Sequence, residues 1–421
     1  MSKSKLALVL AAVGVLAVAI AASAAAAPPP ANLPVLDTAN IKPQFTHVGG
    51  ADPQATDQTV PHWFNTYVDG SNSKSYGYNM VGVNPASNGT STVPVDIIPL
   101  NISFAVDGGF ALNGADVVNA TTASPIFQSN DYSTVADSTG GAGPLSAGNV
   151  GQYEDAIMRS QFNKVGSGYH LKLGTPTVWP TVTFNVPRNQ GLIAVGGGGT
   201  ILVGLVNVSW FSAQLNNLMN SLHLDPTHVP IFLTNNTMLY IGPDPFAPGV
   251  CCIIGYHGAA HSTGSGVGKV HSNSGSTSLQ TFVYAAYTTP GTFGNDKDPA
   301  TGGYWVRDIH ALSHEIAEWG DDPFVNNAVN PWLTPTAPQY GCTGVLETGD
   351  PVVGIGFNIG TNAFDTTDGA YHPEDEVFLP WFARTSPNTT SQAIQGGTDG
   401  RYTFMGNLNP FPGFQSPATG C

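Results

Sequence analysis

The chain has 421 residues, of which 50 are Gly and 33 are Pro, and only 10% carry a charged side chain. Ordinary soluble domains carry about 25% charged residues, so this composition excludes a coiled coil or a long-helix bundle, while the 41% of hydrophobic residues exclude an intrinsically disordered chain. The 28 acidic residues against 13 basic ones give a net charge of −15, which argues against nucleic-acid binding and against an acidic membrane surface as a partner, since both depend on Lys and Arg.

The first 26 residues have the pattern of a secretory signal peptide. Lys3 and Lys5 precede an unbroken apolar run over residues 6–20, and small residues follow. This pattern predicts cleavage after one of residues 24–26, and hence a secreted protein that is extracellular or periplasmic and not membrane-bound after cleavage. The alternative is an uncleaved anchor helix, because the run is long enough to span a bilayer.

The rest of the chain is predicted to contain a Pro/Gly-rich lead-in at residues 27–90 and one large α+β domain at residues 91–421, without a repeat of fixed period. Short apolar runs bounded by Gly and Pro predict strands, and two segments have helical spacing. The strands are expected at Val93–Leu100, Ile102–Val106, Thr181–Val186, Thr200–Val208, Val229–Leu233, Met238–Ile241, Val250–Gly255 and Thr281–Tyr287, and the helices at Gln152–Asn163 and Trp210–Leu222.

All four cysteines lie in the part of the chain that is expected to be exported, where disulfides form. They are Cys251, Cys252, Cys342 and Cys421. A bond between the adjacent Cys251 and Cys252 would need a strained ring. We therefore predict that each of these two bridges to Cys342 or to Cys421, which leaves two connectivities open. A tetrathiolate zinc site is the competing interpretation, but the chain has no CxxC spacing.

The segment Tyr304–Pro323 (YWVRDIHALSHEIAEWGDDP) differs from the charge-poor background and predicts an amphipathic helix. Its apolar residues recur at steps of three and four. His310, His314 and Glu318 are spaced four apart, so they share the opposite face of the helix.

Residues 314–318 of this helix read HExxE, which is the zincin HExxH pattern with Glu in the last place. Side chains one helical turn apart point the same way, so His314 and Glu318 are predicted to bind one metal ion. Glu315 is then predicted to act as general base on a metal-bound water. The chain contains only six Glu and 11 His, so a chance match is rare. The alternative is a solvated helix face with His/Glu pairs.

A catalytic zinc ion usually has three protein ligands and a water, so a further ligand is expected near the helix. Glu347 and Asp350 follow the helix at roughly the spacing of a gluzincin third ligand, and His310 lies one turn before the motif. These three residues are the candidates, although Asp350 also fits an Asx-type turn. His257 is predicted either to line the cleft or to be a buried, hydrogen-bonded side chain.

Two weaker signals lie on either side of this region. Residues 260–264 (AHSTG) vary the nucleophile-elbow pattern, but loop-forming residues follow them, so we predict a Gly/Ser loop in preference to a catalytic Ser. The acidic run Glu374-Asp375-Glu376 is compatible with an additional calcium site or with a solvated turn.

Residues 230–385 resemble a group of secreted bacterial proteins. The features that carry the resemblance are Gly255-Tyr256-His257, the HExxE motif, Asp322-Pro323, Glu347 and Asp350. More distantly, the segment is similar to the plant phosphate-induced, exordium-like cell-wall proteins. The resemblance implies a zincin-like metallohydrolase core, with a mixed or antiparallel sheet and an active-site helix, within a loop-rich, disulfide-bonded α+β fold. The metal-site region is expected at about residues 250–385. The Glu at position 318 stands where true zincins have His.

Two classes of function follow from these observations. The first is a secreted zinc-dependent hydrolase, peptidase-like, that acts on an extracellular peptide or a cell-wall substrate. The second is a non-catalytic extracellular or wall-associated binding protein that keeps the zincin-like scaffold.

Overall fold

A computed structural model describes residues 33–38, 41, 43–105, 109–134, 149–261, 278–294, 305–333, 341–385, 402–405 and 421. The predicted signal peptide lies outside the described residues, and so does most of the predicted Gly/Ser loop that begins at residue 260.

The described residues contain 19 strands and five helices, with short 3-10 turns between some of them. The strands are β1 (Gln44–Gly49), β2 (His62–Val68), β3 (Ser75–Val81), β4 (Thr90–Val93), β5 (Val95–Phe104), β6 (Ala111–Asn113), β7 (Asn130–Asp131), β8 (Val150–Gly151), β9 (His170–Leu173), β10 (Thr177–Val178), β11 (Val182–Val186), β12 (Gly191–Gly196), β13 (Ile201–Asn207), β14 (Val229–Asn235), β15 (Thr237–Tyr240), β16 (Cys251–His261), β17 (Leu279–Tyr287), β18 (Ala328–Leu333) and β19 (Cys342–Val345). The helices are α1 (Val118–Thr122), α2 (Tyr153–Gln161), α3 (Val208–Leu222), α4 (His310–Asp321) and α5 (Leu379–Phe382).

One mixed, curled sheet of 11 strands organises the fold. Its main path runs β10-β5-β14-β17-β16-β15-β13-β12, with β5, β14 and β17 parallel and β16 antiparallel to both β17 and β15. Strand β1 pairs in parallel with residues 253–259 of β16, and β15 pairs with residues 251–253 of the same strand. The predicted α+β class with a mixed sheet is therefore confirmed.

The central strands are buried on both faces, which explains why their sequences are almost continuously apolar. Alternate residues of β16 and β17 contribute to two different clusters. Ile254 and Val283 belong to the cluster that includes Ile316 of α4, whereas Ile253 and Tyr284 belong to the cluster that includes Phe211 of α3. The sheet therefore separates α4 from α3.

Helix α4 lies inside the protein, and all of its residues are buried. The indole Nε1 of Trp319 donates a hydrogen bond to Thr281 Oγ1 of β17 at 2.9 Å. On another side, α2 comes so close that a Cβ on Gly320 would lie 2.0 Å from Glu154 Oε1. The interpretation of this helix as a solvated face is therefore wrong, because other elements enclose its polar side as well as its apolar one.

The cysteine pairing differs from the sequence-based expectation. The structure contains a Cys342–Cys421 disulfide and a vicinal Cys251–Cys252 disulfide, the latter across a cis peptide bond. The Cα atoms of Cys342 and Cys421 are 5.8 Å apart, an ordinary disulfide separation. This pairing leaves the two adjacent cysteines, at the start of the buried β16, to bond with each other.

Part of the predicted lead-in is built into the fold. Strand β1 joins the main sheet through β16, and β2 and β3 form a separate antiparallel pair. Within the described parts of the chain, no helix combines the length and the apolarity needed to cross a membrane.

Candidate metal centre

The polar stripe of α4 forms one side of a buried centre of histidines and carboxylates. Within the stripe, His314 Nε2 lies 3.1 Å from Glu318 Oε1, as expected for side chains one helical turn apart. Asp350, which follows β19, brings Oδ1 to 3.9 Å from the same nitrogen. We call His314, Glu318 and Asp350 the outer group. Each offers one ligand atom, these atoms lie within 4.8 Å of one another, and the group could therefore hold a metal ion.

Glu374 fixes the orientation of the outer group's histidine. Its Oε2 lies 3.1 Å from His314 Nδ1 and 2.8 Å from His310 Nε2. A carboxylate on one ring nitrogen selects the tautomer of a histidine and directs the other nitrogen toward a metal. The backbone of Glu374 is itself held, since its N–H donates to Ser313 Oγ at 2.9 Å and its C=O accepts from the Tyr153 hydroxyl at 2.7 Å.

The loop that carries Asp350 approaches the helix through a glycine. The N–H of Gly349 donates to Glu318 Oε1 at 3.2 Å. A Cβ on Gly349 would lie 2.3 Å from His314 Nδ1, closer than any side chain permits. The glycine is needed for this close approach and not for an unusual backbone angle, because its φ is −82°.

A second set of ligands lies between α4 and β16. Nδ1 of His257 lies 3.2 Å from Glu315 Oε2, 3.5 Å from Glu318 Oε2 and 4.0 Å from Glu347 Oε2. We call His257, Glu315 and Glu318 the inner group. Their ligand atoms are also close enough together to hold a metal ion. Gly255 of β16 makes room for this contact, because a Cβ there would lie 2.6 Å from Glu315 Oε1.

The pKa values of the residues in the outer group reflect these contacts. Burial alone would lower the pKa of His314, but the carboxylates of Glu318 and Glu374 outweigh burial and hold it well above its ordinary value. Burial alone would raise the pKa of Glu318, but His314 and His257 outweigh burial and hold it well below its ordinary value. For Asp350, burial and the nearby Glu318 raise the pKa well above the usual range.

In the inner group, the pKa values of both Glu315 and His257 are raised. Burial raises the pKa of Glu315 to about 8, although the contact with His257 opposes the shift. Burial lowers the pKa of His257, but Glu347, Glu315 and Glu318 together hold it well above its ordinary value. The chain alone therefore retains protons in this centre at neutral pH, in positions where a cation would replace them.

A third group with metal-ligand spacing, Asp308, Asp365 and His372, lies at the start of α4. Here the positive charge is supplied by the chain. The guanidinium of Arg307 lies 3.4 Å from Asp365 Oδ2 and donates to His372 Nδ1 at 3.0 Å. We interpret this group as a structural ion-pair network, because a cation would have to compete with the buried arginine.

The structure brings together some of the sequence-predicted residues and separates others. Asp350 joins His314 and Glu318, whereas Glu347 lies on the side of His257, and His310 contacts Glu374. The sequence pattern does not show that Glu374 contacts the two histidines, because an acidic run on a loop also fits a solvated turn. The structure instead buries residues 374–376 completely. A sequence signal did exist, since Glu374 and Glu376 are two of only six Glu in the chain.

No protein-family model, no curated protein and no solved structure matches this chain. Its function therefore has to be inferred from the geometry and the charge of the centre.

Proposed function

We propose that this protein is a metal-dependent hydrolase with a zincin-like core, in which the outer group holds the metal ion. The observation that carries this proposal is the convergence of His314 Nε2, Glu318 Oε1 and Asp350 Oδ1 beside a histidine already oriented by Glu374. Three protein ligands with a remaining free position are typical of a catalytic zinc ion, whereas structural zinc is usually enclosed by four.

The donor set suits a divalent cation. It combines one imidazole nitrogen with two carboxylate oxygens, which is the ligand chemistry of His/Glu-type zinc sites. His314 Nε2 is buried and makes no hydrogen bond of good geometry within the described chain. Its Nδ1 is held by Glu374, so Nε2 is the nitrogen available to the ion.

The outer group also has a side from which a substrate can enter. The side chain of Asp350 is 25% exposed, whereas those of His314 and Glu318 are at most 1% exposed. A bound divalent ion lowers the pKa of water and polarises a carbonyl. The substrate class that we propose is an extracellular peptide or a cell-wall compound. Secretion is part of the proposal, and the Cys342–Cys421 disulfide is compatible with it.

Glu315 is the proposed proton acceptor for the attacking water. Burial raises its pKa to about 8, which brings its proton affinity near the range that a general base needs at neutral pH. His257 Nδ1 holds one of its oxygens at 3.2 Å, so the carboxylate is fixed beside Glu318 of the outer group. In this mechanism His257 positions Glu315, while His314, Glu318 and Asp350 bind the ion.

Metal analysis and hydrolysis assays on matched variants test the proposal. Purified protein should contain stoichiometric zinc, which His314→Ala should remove. Glu315→Gln should abolish cleavage of peptide and ester libraries, while His261→Gln, on the same strand as His257, should leave both metal and turnover unchanged. A native protein with no bound metal would overturn the proposal.

The complete burial of α4 favours a second candidate, a non-catalytic extracellular or wall-associated binding protein with a structural metal. Glu315 has no exposed surface, as expected of a side chain that only contributes to a folded centre. A metal that is retained in the wild type, together with no cleavage of any peptide or ester, would favour this candidate.

A further inference from the structure

We infer that the centre holds two divalent cations, one in the outer group and one in the inner group, bridged by the carboxylate of Glu318. The inner ligands are His257 Nδ1, Glu315 Oε2 and Glu318 Oε2, with Glu347 Oε2 close by. This inference rests on the metal binding proposed for the outer group and adds a second ion to it.

The first support is the convergence of three carboxylates on one nitrogen. Oxygens of Glu315, Glu318 and Glu347 lie 3.2, 3.5 and 4.0 Å from His257 Nδ1. Three buried carboxylates that converge on one nitrogen repel one another. A divalent cation bound about 2.1 Å from each atom would account for spacings of this size.

The second support is the other carboxylate oxygen of Glu315, one of the inner ligands. Glu315 Oε1 is fully buried and has no hydrogen-bond partner among the residues that the structure describes. A buried carboxylate oxygen without a partner is costly, and a cation beside this carboxylate lowers that cost.

The two oxygens of Glu318 point to different partners, which makes this residue the bridge. Oε1 lies 3.1 Å from His314 Nε2 in the outer group, and Oε2 lies 3.5 Å from His257 Nδ1 in the inner group. A carboxylate with one oxygen toward each of two ligand sets is the arrangement expected between two ions, which in two-metal enzymes lie about 3.5–4 Å apart.

The centre contains more carboxyl groups than imidazoles, which is compatible with bound divalent cations. Within the described chain the ion pairs of Glu315 and Glu318 are with imidazoles. Seven buried or largely buried carboxyl groups surround three imidazoles, so even three imidazolium ions leave an excess of four negative charges when every carboxylate is ionised. The carboxyl groups are Glu315, Glu318, Asp322, Glu347, Asp350, Glu374 and Glu376, and the imidazoles are His257, His310 and His314.

The two positions differ in access, and this assigns them different roles. Every inner ligand is at most 4% exposed, whereas Asp350 of the outer group is 25% exposed. An enclosed position with a full protein shell is typical of a structural ion, and an open position is typical of a catalytic one. The inner ion would therefore balance charge and would hold Glu315 through Oε2, in place of the direct His257 contact of the metal-free chain, while the outer ion would meet the substrate.

Titration of the metal-free wild-type protein with Mn²⁺ alone tests this inference without any mutation. We expect two Mn²⁺ ions per chain at saturation, and an electron paramagnetic resonance spectrum broadened by coupling between neighbouring ions. Saturation at one ion per chain, with the hyperfine pattern of an isolated ion, would overturn it.

Two variants then show which residues bind which ion. His257→Gln should lose the inner ion and bind one Mn²⁺ with an uncoupled spectrum, and Asp350→Asn should weaken the outer ion at least tenfold. The control is His261→Gln, four residues along β16, whose imidazole pairs with Asp57 at 2.9 Å outside the centre. It should still bind two ions.

Glu315→Gln distinguishes this inference from the proposed function. If the outer ion alone exists, this variant keeps its single ion and loses only turnover. If both ions exist, it binds one ion where the wild type binds two. A wild type that binds one ion and hydrolyses substrate contradicts the second site and leaves the proposed function standing, whereas a wild type that binds no ion contradicts both.

Discussion

His314 Nδ1 lies 3.1 Å from Glu374 Oε2, although 60 residues separate the two in the sequence. The same carboxylate oxygen lies 2.8 Å from His310 Nε2. Glu374 therefore connects two consecutive turns of α4 to the loop that covers them. This contact gives the HExxE helix the His–carboxylate support that metal-binding histidines usually have.

The first prediction concerns this support. Glu374→Gln should lower metal affinity by about 10–100-fold, the usual effect of removing a carboxylate behind a ligand histidine. Competition titration with a chromophoric chelator measures the change. Glu154→Gln is the matched control, because Glu154 is equally buried and burial already keeps its pKa well above the ordinary value. Equal affinities for the two variants would contradict the role assigned to Glu374.

The second prediction concerns the close approach of the Asp350 loop. Gly349→Ala places a Cβ 2.3 Å from His314 Nδ1, so the loop or the imidazole must move. We expect a loss of about 1–3 kcal/mol in the free energy of unfolding, together with weaker metal binding. Urea unfolding and metal titration measure the two effects.

Gly344→Ala is the control for that experiment. It lies on β19, and among the described residues the nearest atom to its added Cβ would be Val329 O at 3.7 Å. This variant should change neither measurement appreciably. A Gly349→Ala protein as stable and as metal-bound as Gly344→Ala would show that the contact is not needed.

The third prediction concerns the pH dependence of stability. Burial raises the pKa of Asp321 to about 7, from an ordinary value of 3.8. Between these values the folded state binds more protons at this site than the unfolded state, so its contribution to stability falls as pH rises. The loss is complete above about pH 7, and it is on the order of a few kcal/mol because one pKa unit corresponds to about 1.4 kcal/mol.

Asp321→Asn removes this titration while keeping the oxygen that accepts from Gln161 Nε2 at 2.7 Å. In the presence of EDTA, urea unfolding of the wild type from pH 4 to pH 8 should show a steeper decline than that of the variant. Parallel curves for the two proteins would refute the assignment.

The fourth prediction concerns the disulfides. Peptide mapping without reduction should link Cys342 to Cys421 and should find residues 251 and 252 bonded within one peptide. Because the Cys342–Cys421 bond closes a separation of 79 residues, the double variant Cys342→Ser, Cys421→Ser should lose about 2–5 kcal/mol of stability. A peptide joining β16 to Cys342 or Cys421 would show that the pairing is different.

Much of the fold could be predicted from local patterns. The predicted helix Trp210–Leu222 corresponds to α3 (Val208–Leu222), and the predicted strand Val229–Leu233 corresponds to β14 (Val229–Asn235). Such segments are recognisable because side-chain periodicity and Gly/Pro boundaries act over a few residues. The pairing of β1 with β16 is different, since it joins segments about 200 residues apart and no local pattern specifies it.

The same distinction applies to the centre. The pair His314 and Glu318, with Glu315 beside it, could be predicted from the local pattern, because one helical turn brings positions 314 and 318 together. No local pattern shows that Asp350 lies near this pair, that Glu374 contacts His314, or that His257 contacts Glu315. Those contacts depend on how loops and strands distant in sequence pack around a buried helix. The low overall charge of the chain marked the helix as unusual, and the fold determined what surrounds it.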